Sequence, residues 1–370
     1  MFERLLHMMT GGQEKQAQKR KEIKIGERPI GPSHPPFVVA EMSGNHNQSL
    51  DRALAIVEAA ARAGVAALKL QTYTADTMTL DLSEEEFVVK DPKDLWTGKT
   101  LYQLYREAST PWEWHSSIFK RCRELGIMGF STPFDSTAVD FLETLNAPCY
   151  KIASFENTDL PLIRRAAQTG KPLIISTGMS TFSELEEAVR AAREAGCQDL
   201  ILLKCTTCYP AAPETMNLRT LADMRDRFDV EVGISDHTLG IGAAVGGVAL
   251  GATVIEKHFT LKRTEGGVDA AFSLEPDEMK TLVTETNNAW LAVGRVSYGP
   301  CEDEKTLLAY RRSIYAVKDI GVGETLSRDN VRSIRPGGGL SPKYFDEILG
   351  KKVKRPISRG KPVRWDCLEP

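Results

Sequence analysis

One arrangement of hydrophobic and polar positions repeats along the chain from residue 36 to residue 294. Each unit has a short apolar or β-branched run, a polar or glycine-containing turn, and a stretch whose apolar residues follow the helical period. In the first such stretch, 50–64, Leu54, Val57 and Ala61 share one helical face, and Gly64 is the residue type that most easily caps a helix end. The apolar runs predict eight strands, at 36–42, 66–73, 127–134, 149–155, 172–179, 199–207, 230–238 and 252–260.

The number of units selects the fold class. Eight strand–helix units in about 260 residues predict an α/β protein of the (β/α)8 TIM-barrel type, which we assign to 31–295. An open, doubly wound sheet is the alternative, but no G-x-G-x-x-G follows the first predicted strand. The segment 74–110 is long for a connection, and long connections in barrels belong to the face that carries the active site.

The pattern changes after Gly294. Residues 306–370 contain two short β-like runs, 313–317 and 331–334, among turns rich in glycine and proline, and no long helical stretch. They predict a separate small β-rich domain, which a linker at 296–305 joins to the barrel. Residues 1–30 contain no apolar signal segment, and we interpret them as a flexible leader outside the fold.

Charge and composition narrow the functional classes. A formal net charge of −3 over 370 residues excludes a strongly basic nucleic-acid-binding protein. No apolar run reaches the ~18 residues of a membrane span. Seven scattered cysteines are typical of a reducing compartment and predict a cytoplasmic protein. The charge is unevenly divided, with 15 Lys and Arg against 7 Asp and Glu in 305–370 but 25 against 39 in 31–304. This division predicts that the basic domain docks on an acidic barrel.

Polar side chains gather where the predicted strands end, which is where a barrel carries its chemistry. Three of them are lysines, Lys69, Lys151 and Lys204. A lysine buried without a partner costs several kcal/mol, so these side chains, among serine and threonine hydroxyls, predict a bound anion. The alternative is a structural network in which the lysines pair with acidic residues of other strands, namely Glu41, Asp236 and Glu256.

Two of the six histidines, His237 and His258, fall at the ends of adjacent predicted strands. Neighbouring strands lie about 4.8 Å apart, so both imidazoles can reach one cation. Imidazole ligands suit Mn, Co, Zn or Fe better than Mg. The pair therefore predicts a divalent metal site with open positions. Two separate histidines in ordinary hydrogen bonds are the alternative.

The strand ends form seven motifs: Glu41-Met-Ser-Gly-Asn-His-Asn-Gln, Leu68-Lys-Leu-Gln, Ser131-Thr-Pro-Phe, Lys151-Ile-Ala-Ser, Ser176-Thr-Gly-Met, Ser235-Asp-His-Thr and Glu256-Lys-His-Phe. In this order they resemble the sialic acid (nonulosonic acid) synthase family. The resemblance covers 36–370, because the tail is similar to the antifreeze-protein-like (SAF) domain that follows the barrel in that family. It implies an enzyme that condenses phosphoenolpyruvate with an acetamido sugar and releases phosphate.

Within the family, the segment 266–276, Gly-Gly-Val-Asp-Ala-Ala-Phe-Ser-Leu-Glu-Pro, is most similar to the pseudaminic acid synthase branch. That branch implies 2,4-diacetamido-2,4,6-trideoxy-altrose as the sugar. Two departures separate the chain from N-acetylneuraminate synthases, which have a histidine at the position of Ala270 and an asparagine at that of Thr207. N-acetylneuraminate or legionaminate synthesis is the alternative inside the family.

The resemblance also implies roles for individual residues. The implied catalytic residues are Glu41, Lys69, Lys151 and Glu256. His237 and His258 would hold a divalent metal, Mn2+ in preference to Co2+ or Mg2+. Arg335 resembles an arginine that the C-terminal domain of one subunit places over its partner's barrel, which implies a domain-swapped homodimer. The implied substrate-binding residues are Asn45, Gln71, Thr132, Ser154, Ser176, Thr207, Ser235, Asp269 and Arg335.

Other classes of function remain as alternatives. A Schiff-base aldolase would use Lys151 or Lys204 as its nucleophile and would need no metal. A non-catalytic carbohydrate- or partner-binding module would leave the lysines at the strand ends unexplained. A nucleic-acid role of the basic tail lacks aromatic residues within a basic stripe.

Overall fold

The computed structural model describes residues 22–90 and 95–370. The chain divides into two compact units, with the boundary between Gly294 and Arg295. The predicted linker at 296–305 lies in the second unit. Among the described residues, no helix combines the length and the apolar character that crossing a membrane requires.

Eight parallel strands close into a barrel in the first unit. They follow two short strands, β1 (Ile23–Ile25) and β2 (Arg28–Ile30), and are β3 (Phe37–Glu41), β4 (Ala67–Thr72), β5 (Met128–Pro133), β6 (Tyr150–Ile152), β7 (Leu173–Ser176), β8 (Leu200–Cys205), β9 (Glu231–Asp236) and β10 (Val254–His258). Each barrel strand pairs with the next one along the chain, and β10 pairs with β3, so that His258 lies opposite Glu41. Every barrel strand lies within a predicted run, and the TIM-barrel prediction is confirmed.

Helices alternate with the strands: Leu50–Ala63, His115–Glu124, Ser136–Thr144, Leu160–Ala167, Phe182–Glu194, Thr220–Phe228, Gly242–Ala249 and Pro276–Val293. The first begins after Ser49, whose side chain accepts a hydrogen bond from the backbone N–H of Arg52, and ends at Gly64 in the left-handed region, with φ of 87°. The long connection after β4 contains two further helices, Ala75–Met78 and Leu101–Ala108.

Alternating strand residues build two apolar layers. One face of each strand packs against the helices; Leu68, Leu202 and Ile255 belong to this layer. The other face fills the lumen, with residues such as Phe37, Phe130, Ile174 and Leu203. Apolar side chains therefore fill the lumen below the carboxyl ends of the strands, which is the end where a barrel carries its chemistry.

The N-terminal segment differs from the prediction. Residues 1–21 of the predicted leader lie outside the described residues. Residues 22–30 are not a flexible leader, because β1 and β2 form an antiparallel hairpin. Ile23, Ile25 and Ile30 are buried in the same apolar cluster as the lumen residues. The hairpin therefore closes the amino end of the barrel, and the folded unit begins before residue 31.

The second unit, Arg295–Pro370, has its own core. Strands β11 (Ser313–Ala316) and β12 (Val331–Ile334) pair antiparallel, as the two predicted β-like runs require. A short helix, Phe345–Ile348, is the longest α-helix described in this unit. Eleven buried apolar residues form the core, among them Ile314, Val331, Ile348 and Val353.

Candidate active site

Four charged side chains meet in the lumen at the carboxyl ends of β3, β4, β6 and β10. The Nζ atom of Lys69 lies 2.9 Å from Oε2 of Glu41 and 3.4 Å from Oε1 of Glu256. The Nζ atom of Lys151 lies 3.1 Å from the same Glu256 oxygen. All four residues are at most 5% exposed. The structure thus brings together the predicted catalytic residues and also contains the acid–lysine pairing that was the alternative to a bound anion.

Burial and charge set the protonation of this network. Burial raises the pKa of Glu41, although Lys69 opposes it. For Glu256 the burial cost is outweighed by Lys151 and Lys69, which hold its pKa at about 2. Burial lowers the pKa of Lys151, whereas Lys69, beside two carboxylates, has a raised pKa. Glu256 is therefore the fixed anion of the network, and Glu41 is the carboxyl that takes up a proton more easily.

Hydroxyl and amide groups surround the network. Lys69 donates to Oγ1 of Thr132 at 3.1 Å, and Ser235 donates to Oε1 of Glu256 at 3.1 Å. Gln71 donates to Oε1 of Glu41 at 3.1 Å. These contacts place three predicted substrate-binding residues at the charged centre.

A second cluster of small polar groups lies at the ends of β6, β7 and β8. The backbone N–H of Gly178 donates to Oγ of Ser154 at 3.2 Å. A Cβ at Gly178 would lie 2.0 Å from Oγ1 of Thr207 and 2.6 Å from Oγ of Ser154. Among the described residues, the buried hydroxyl of Ser176 has no hydrogen-bond partner. These groups form a cradle of backbone and hydroxyl donors in which the Ser176 hydroxyl is uncommitted, and such a cradle is a suitable environment for an anion.

One sequence interpretation needs correction. Lys204 was expected among the lysines that face an anion, but Leu203 and Cys205 face the lumen, so Lys204 lies on the other side of β8. Its Nζ donates to the carbonyl of Cys205. Asn45, which was expected to bind substrate, is fully buried, and its Nδ2 donates to Phe259 O and Ser273 Oγ, both at 2.9 Å. That amide therefore joins two loops of the barrel. Among the described residues the Oδ1 of Asn45 has no hydrogen-bond partner, and its substrate-binding role stays a prediction.

The predicted metal ligands lie side by side. The imidazole centroids of His237 and His258 are 5.4 Å apart. Nδ1 of His237 donates to the carbonyl of Thr206 at 3.0 Å, the outer contact typical of a metal-binding histidine. Within the described ranges, buried Nδ1 of His258 has no hydrogen-bond partner, and Oδ2 of Asp269 lies 3.8 Å away. This donor set fits a divalent cation held by two imidazoles, although the described part of the chain contains no group of three or more His, Cys, Asp or Glu side chains that could hold a metal ion together.

Asp269 connects the histidine pair to the first loop of the barrel. Its carboxylate accepts a hydrogen bond from the hydroxyl of Ser43. Burial raises the pKa of Asp269, with Ser43 and His237 opposing the shift. This predicted site residue therefore lies within the site.

Sequence reasoning missed an aromatic wall beside the histidines. The Tyr209 ring lies 4.4 Å from His237 and 5.1 Å from Phe272, measured between centroids. Trp96, in the long connection after β4, lies 6.0 Å from Tyr209 and donates its Nε1 proton to the carbonyl of Val268 at 3.0 Å. The wall gives the site an apolar side next to its charged centre.

Glu156 is a second residue that the sequence reasoning missed. It follows β6 in the 3-10 turn Ser154–Glu156. Burial raises its pKa to about 7, and Lys151 opposes the shift. In the described structure its buried Oε2 atom has no hydrogen-bond partner. Like Lys151 and Ser154, Glu156 lies near the carboxyl end of β6, so the reasoning that identified those two residues could also have identified it.

Arg335 lies outside the barrel, in the second unit. It is exposed and precedes the cis peptide bond to Pro336. Its predicted role requires a partner subunit and stays a prediction.

Two family models match the sequence of the chain. The NeuB family model matches residues 56–298, and the SAF domain model matches residues 311–369.

Characterised relatives cover most of the chain. A pseudaminic acid synthase of Campylobacter jejuni is 45% identical over 327 residues, 88% of this chain and 94% of that protein. One from Helicobacter pylori is 41% identical over 338 residues, 90% of this chain and 98% of that protein. An N,N'-diacetyllegionaminic acid synthase of Legionella pneumophila is 34% identical over 349 residues, 93% of this chain and 98% of that protein.

The fold of the chain also matches a solved structure. The N-acetylneuraminic acid synthetase of Leptospira borgpetersenii superposes with a TM-score of 0.68 at 31% identity, covering 78% of this chain and 95% of its own.

Proposed function

Because the chain belongs to the NeuB family, we infer that it is a phosphoenolpyruvate-dependent nonulosonic acid synthase, specifically a pseudaminic acid synthase. The reaction joins phosphoenolpyruvate to 2,4-diacetamido-2,4,6-trideoxy-altrose and releases phosphate. The observation that carries the branch assignment is the 41–45% identity to pseudaminic acid synthases, against 34–36% to legionaminic acid synthases.

The cradle and the two lumen lysines are suited to phosphoenolpyruvate. Its phosphate and carboxylate need several donors, which Lys69, Lys151 and the hydroxyls of the cradle supply. Two ammonium groups beside one strongly acidic carboxyl, Glu256, and one carboxyl of raised pKa, Glu41, leave positive potential for an anion. Substrate binding by Thr132, Ser154, Ser176, Thr207 and Ser235 belongs to this proposal.

The sugar would lie against the histidine pair and the aromatic wall. A divalent cation held by His237 and His258, Mn2+ by preference, would polarise the aldehyde oxygen of the open-chain sugar. Support comes from the buried, unpartnered Nδ1 of His258 in the described structure and from the outer hydrogen bond of His237. Asp269 and Gln71 line the same end of the site and would contact the sugar.

The bond changes require orientation and proton transfer. C3 of phosphoenolpyruvate attacks the aldehyde carbon, water adds at C2, and the tetrahedral intermediate expels phosphate by C–O cleavage. Glu41, Glu156 and Asp269 are carboxyls whose raised pKa values allow them to exchange protons. Lys69 and Lys151 hold the trianionic cosubstrate in place while charge develops.

We also propose that the working form is a cytoplasmic, domain-swapped homodimer. The support is the basic charge of 305–370 against the acidic 31–304. Arg335 of a partner subunit would then reach over the barrel. Gel filtration that finds a fully active monomer would exclude the swapped arrangement.

One observation favours a second candidate. The lowered pKa of Lys151, caused by burial, is a property of Schiff-base lysines. The two functions separate in one experiment: the protein is incubated with phosphoenolpyruvate and candidate sugars, and phosphate release is followed with and without borohydride and a chelator. The synthase predicts phosphate release that chelator stops and borohydride does not. An aldolase predicts no phosphate release and a sugar trapped on the protein by borohydride.

A further inference from the structure

A buried ion pair lies on the outer face of the two strands that end in the histidines. The register of β9 and β10 places Asp236 opposite Lys257, and Nζ of Lys257 lies 2.8 Å from Oδ2 of Asp236. Both residues are 1% exposed. Their side chains point away from the lumen, because the neighbouring positions, Ser235 and Glu256, meet inside it.

The same pair holds the backbone beyond β9. Oδ1 of Asp236 accepts hydrogen bonds from the backbone N–H of Thr238 at 2.9 Å and from its hydroxyl at 2.8 Å. Lys257 also donates to the carbonyl of Thr238. His237 therefore lies between two residues that are fixed to each other, and the lysine that completes the arrangement directly precedes His258.

A buried ion pair is weak evidence for stability, because the cost of desolvating both charges offsets their attraction. Here the Asp236–Lys257 pair joins the carboxyl ends of β9 and β10, next to His237 and His258. We propose that Asp236 and Lys257 are positioning residues that fix the separation of His237 and His258 for a divalent cation. This inference rests on the metal site of the proposed function.

The main test removes both charges together, since a single substitution would leave a buried charge unpaired. The double variant Asp236→Asn, Lys257→Met loses the ion pair and the bond to the Thr238 carbonyl. Binding of Mn2+ to chelator-treated protein is followed by the electron paramagnetic resonance signal of free Mn2+, and stability by urea denaturation. We expect the Kd for Mn2+ to rise about tenfold or more at an unchanged urea midpoint.

The matched control is the Glu143–Lys171 pair, whose Nζ–Oε1 distance is 2.6 Å. It lies at the other end of the barrel, where Lys171 precedes β7. The double variant Glu143→Gln, Lys171→Met should bind Mn2+ as the parent does. An effect of equal size in this control would overturn the proposal.

Three outcomes of these experiments distinguish a failure of the inference from a failure of the proposed metal site. If the parent binds Mn2+ and the Asp236, Lys257 double variant binds it equally well, the inference alone fails. If the parent binds no Mn2+, the metal part of the proposed function fails and the inference falls with it. Should the double variant not fold, Thr238→Val removes only the hydroxyl bond to Asp236. We expect this variant to weaken Mn2+ binding severalfold, and unchanged binding would overturn the inference.

Discussion

Lys151 and Glu256 form a buried ion pair across the barrel lumen, with 3.1 Å between Nζ and Oε1. Lys69 approaches the same oxygen and also pairs with Glu41, so Glu256 helps to compensate both ammonium groups. The arrangement joins β4, β6 and β10 at the level of the proposed phosphoenolpyruvate site. Both its stability and its chemistry depend on the charge of Glu256.

Replacing Glu256 by glutamine should destabilise the protein strongly. The substitution keeps the shape but leaves two buried lysines with reduced compensation, and breaking a buried pair in this way costs about 3 kcal/mol or more. Urea denaturation followed by tryptophan fluorescence measures the loss. The control is Glu58→Gln on the surface, where the pair with Arg121 is partly exposed and screened by solvent, so that its loss should change the urea midpoint little. Equal losses in the two variants would contradict the assigned role of Glu256.

A methyl group at Gly178 should block the cradle. The added Cβ would lie 2.0 Å from Oγ1 of Thr207, so the neighbouring hydroxyls must move and the anion loses its fixed donors. We expect Gly178→Ala to raise the KM for phosphoenolpyruvate about tenfold or more, which corresponds to about 1.4 kcal/mol. The control is Gly242→Ala, which meets no atom within 4 Å. An unchanged KM in Gly178→Ala would place the phosphate elsewhere.

Glu156 should give the enzyme a pH dependence near neutrality. Its pKa, raised by burial to about 7, means that the carboxylate forms as the pH rises through that value. If the carboxylate takes part in turnover, kcat/KM rises with pH through about 7 in the parent and loses this limb in Glu156→Gln. A profile that keeps the limb in the variant would assign it to another group.

Glu156 also affects the free energy of unfolding, which should fall as the pH rises, whereas kcat/KM should rise. Because the pKa of Glu156 is raised in the folded protein, folding favours the protonated carboxyl. The contribution of this group to the free energy of unfolding is therefore complete below the ordinary carboxyl pKa and is lost as the pH rises through about 7. Glu156→Gln should therefore gain stability relative to the parent at pH 8 and show little difference at pH 4. Urea denaturation at the two pH values checks the sign.

The N-terminal hairpin should contribute to the stability of the barrel. Ile25 is fully buried in the lumen cluster, and Ile25→Ala should cost about 2 to 5 kcal/mol. The adjacent Lys24 is exposed, so Lys24→Ala should leave the urea midpoint unchanged. If the two variants unfold alike, the hairpin does not seal the barrel.

The sequence could predict the barrel because strands and helices leave different spacings of apolar residues along the chain. A strand that is buried on both sides has a continuous apolar run, and a polar residue such as Lys69 or Glu256 then marks the end of the lumen. The same alternation, applied from Leu203 and Cys205, would have placed Lys204 outside the lumen.

Other features depend on contacts that no local pattern contains. The six residues of the hairpin strands are too few to identify a buried element, and Ile25 is buried only because distant strands meet it. Trp96 reaches Tyr209 and Val268 through long-range folding of a polar connection. The amide of Asn45 likewise finds its partners more than 200 residues away.

A competition between two sugars tests the central claim most directly. The purified protein is given phosphoenolpyruvate, Mn2+ and equal concentrations of 2,4-diacetamido-2,4,6-trideoxy-altrose and N-acetylmannosamine, and the products are identified by mass spectrometry alongside released phosphate. We predict that pseudaminic acid is the dominant product, with one phosphate released for each molecule formed. Preferential formation of N-acetylneuraminic acid would contradict the account.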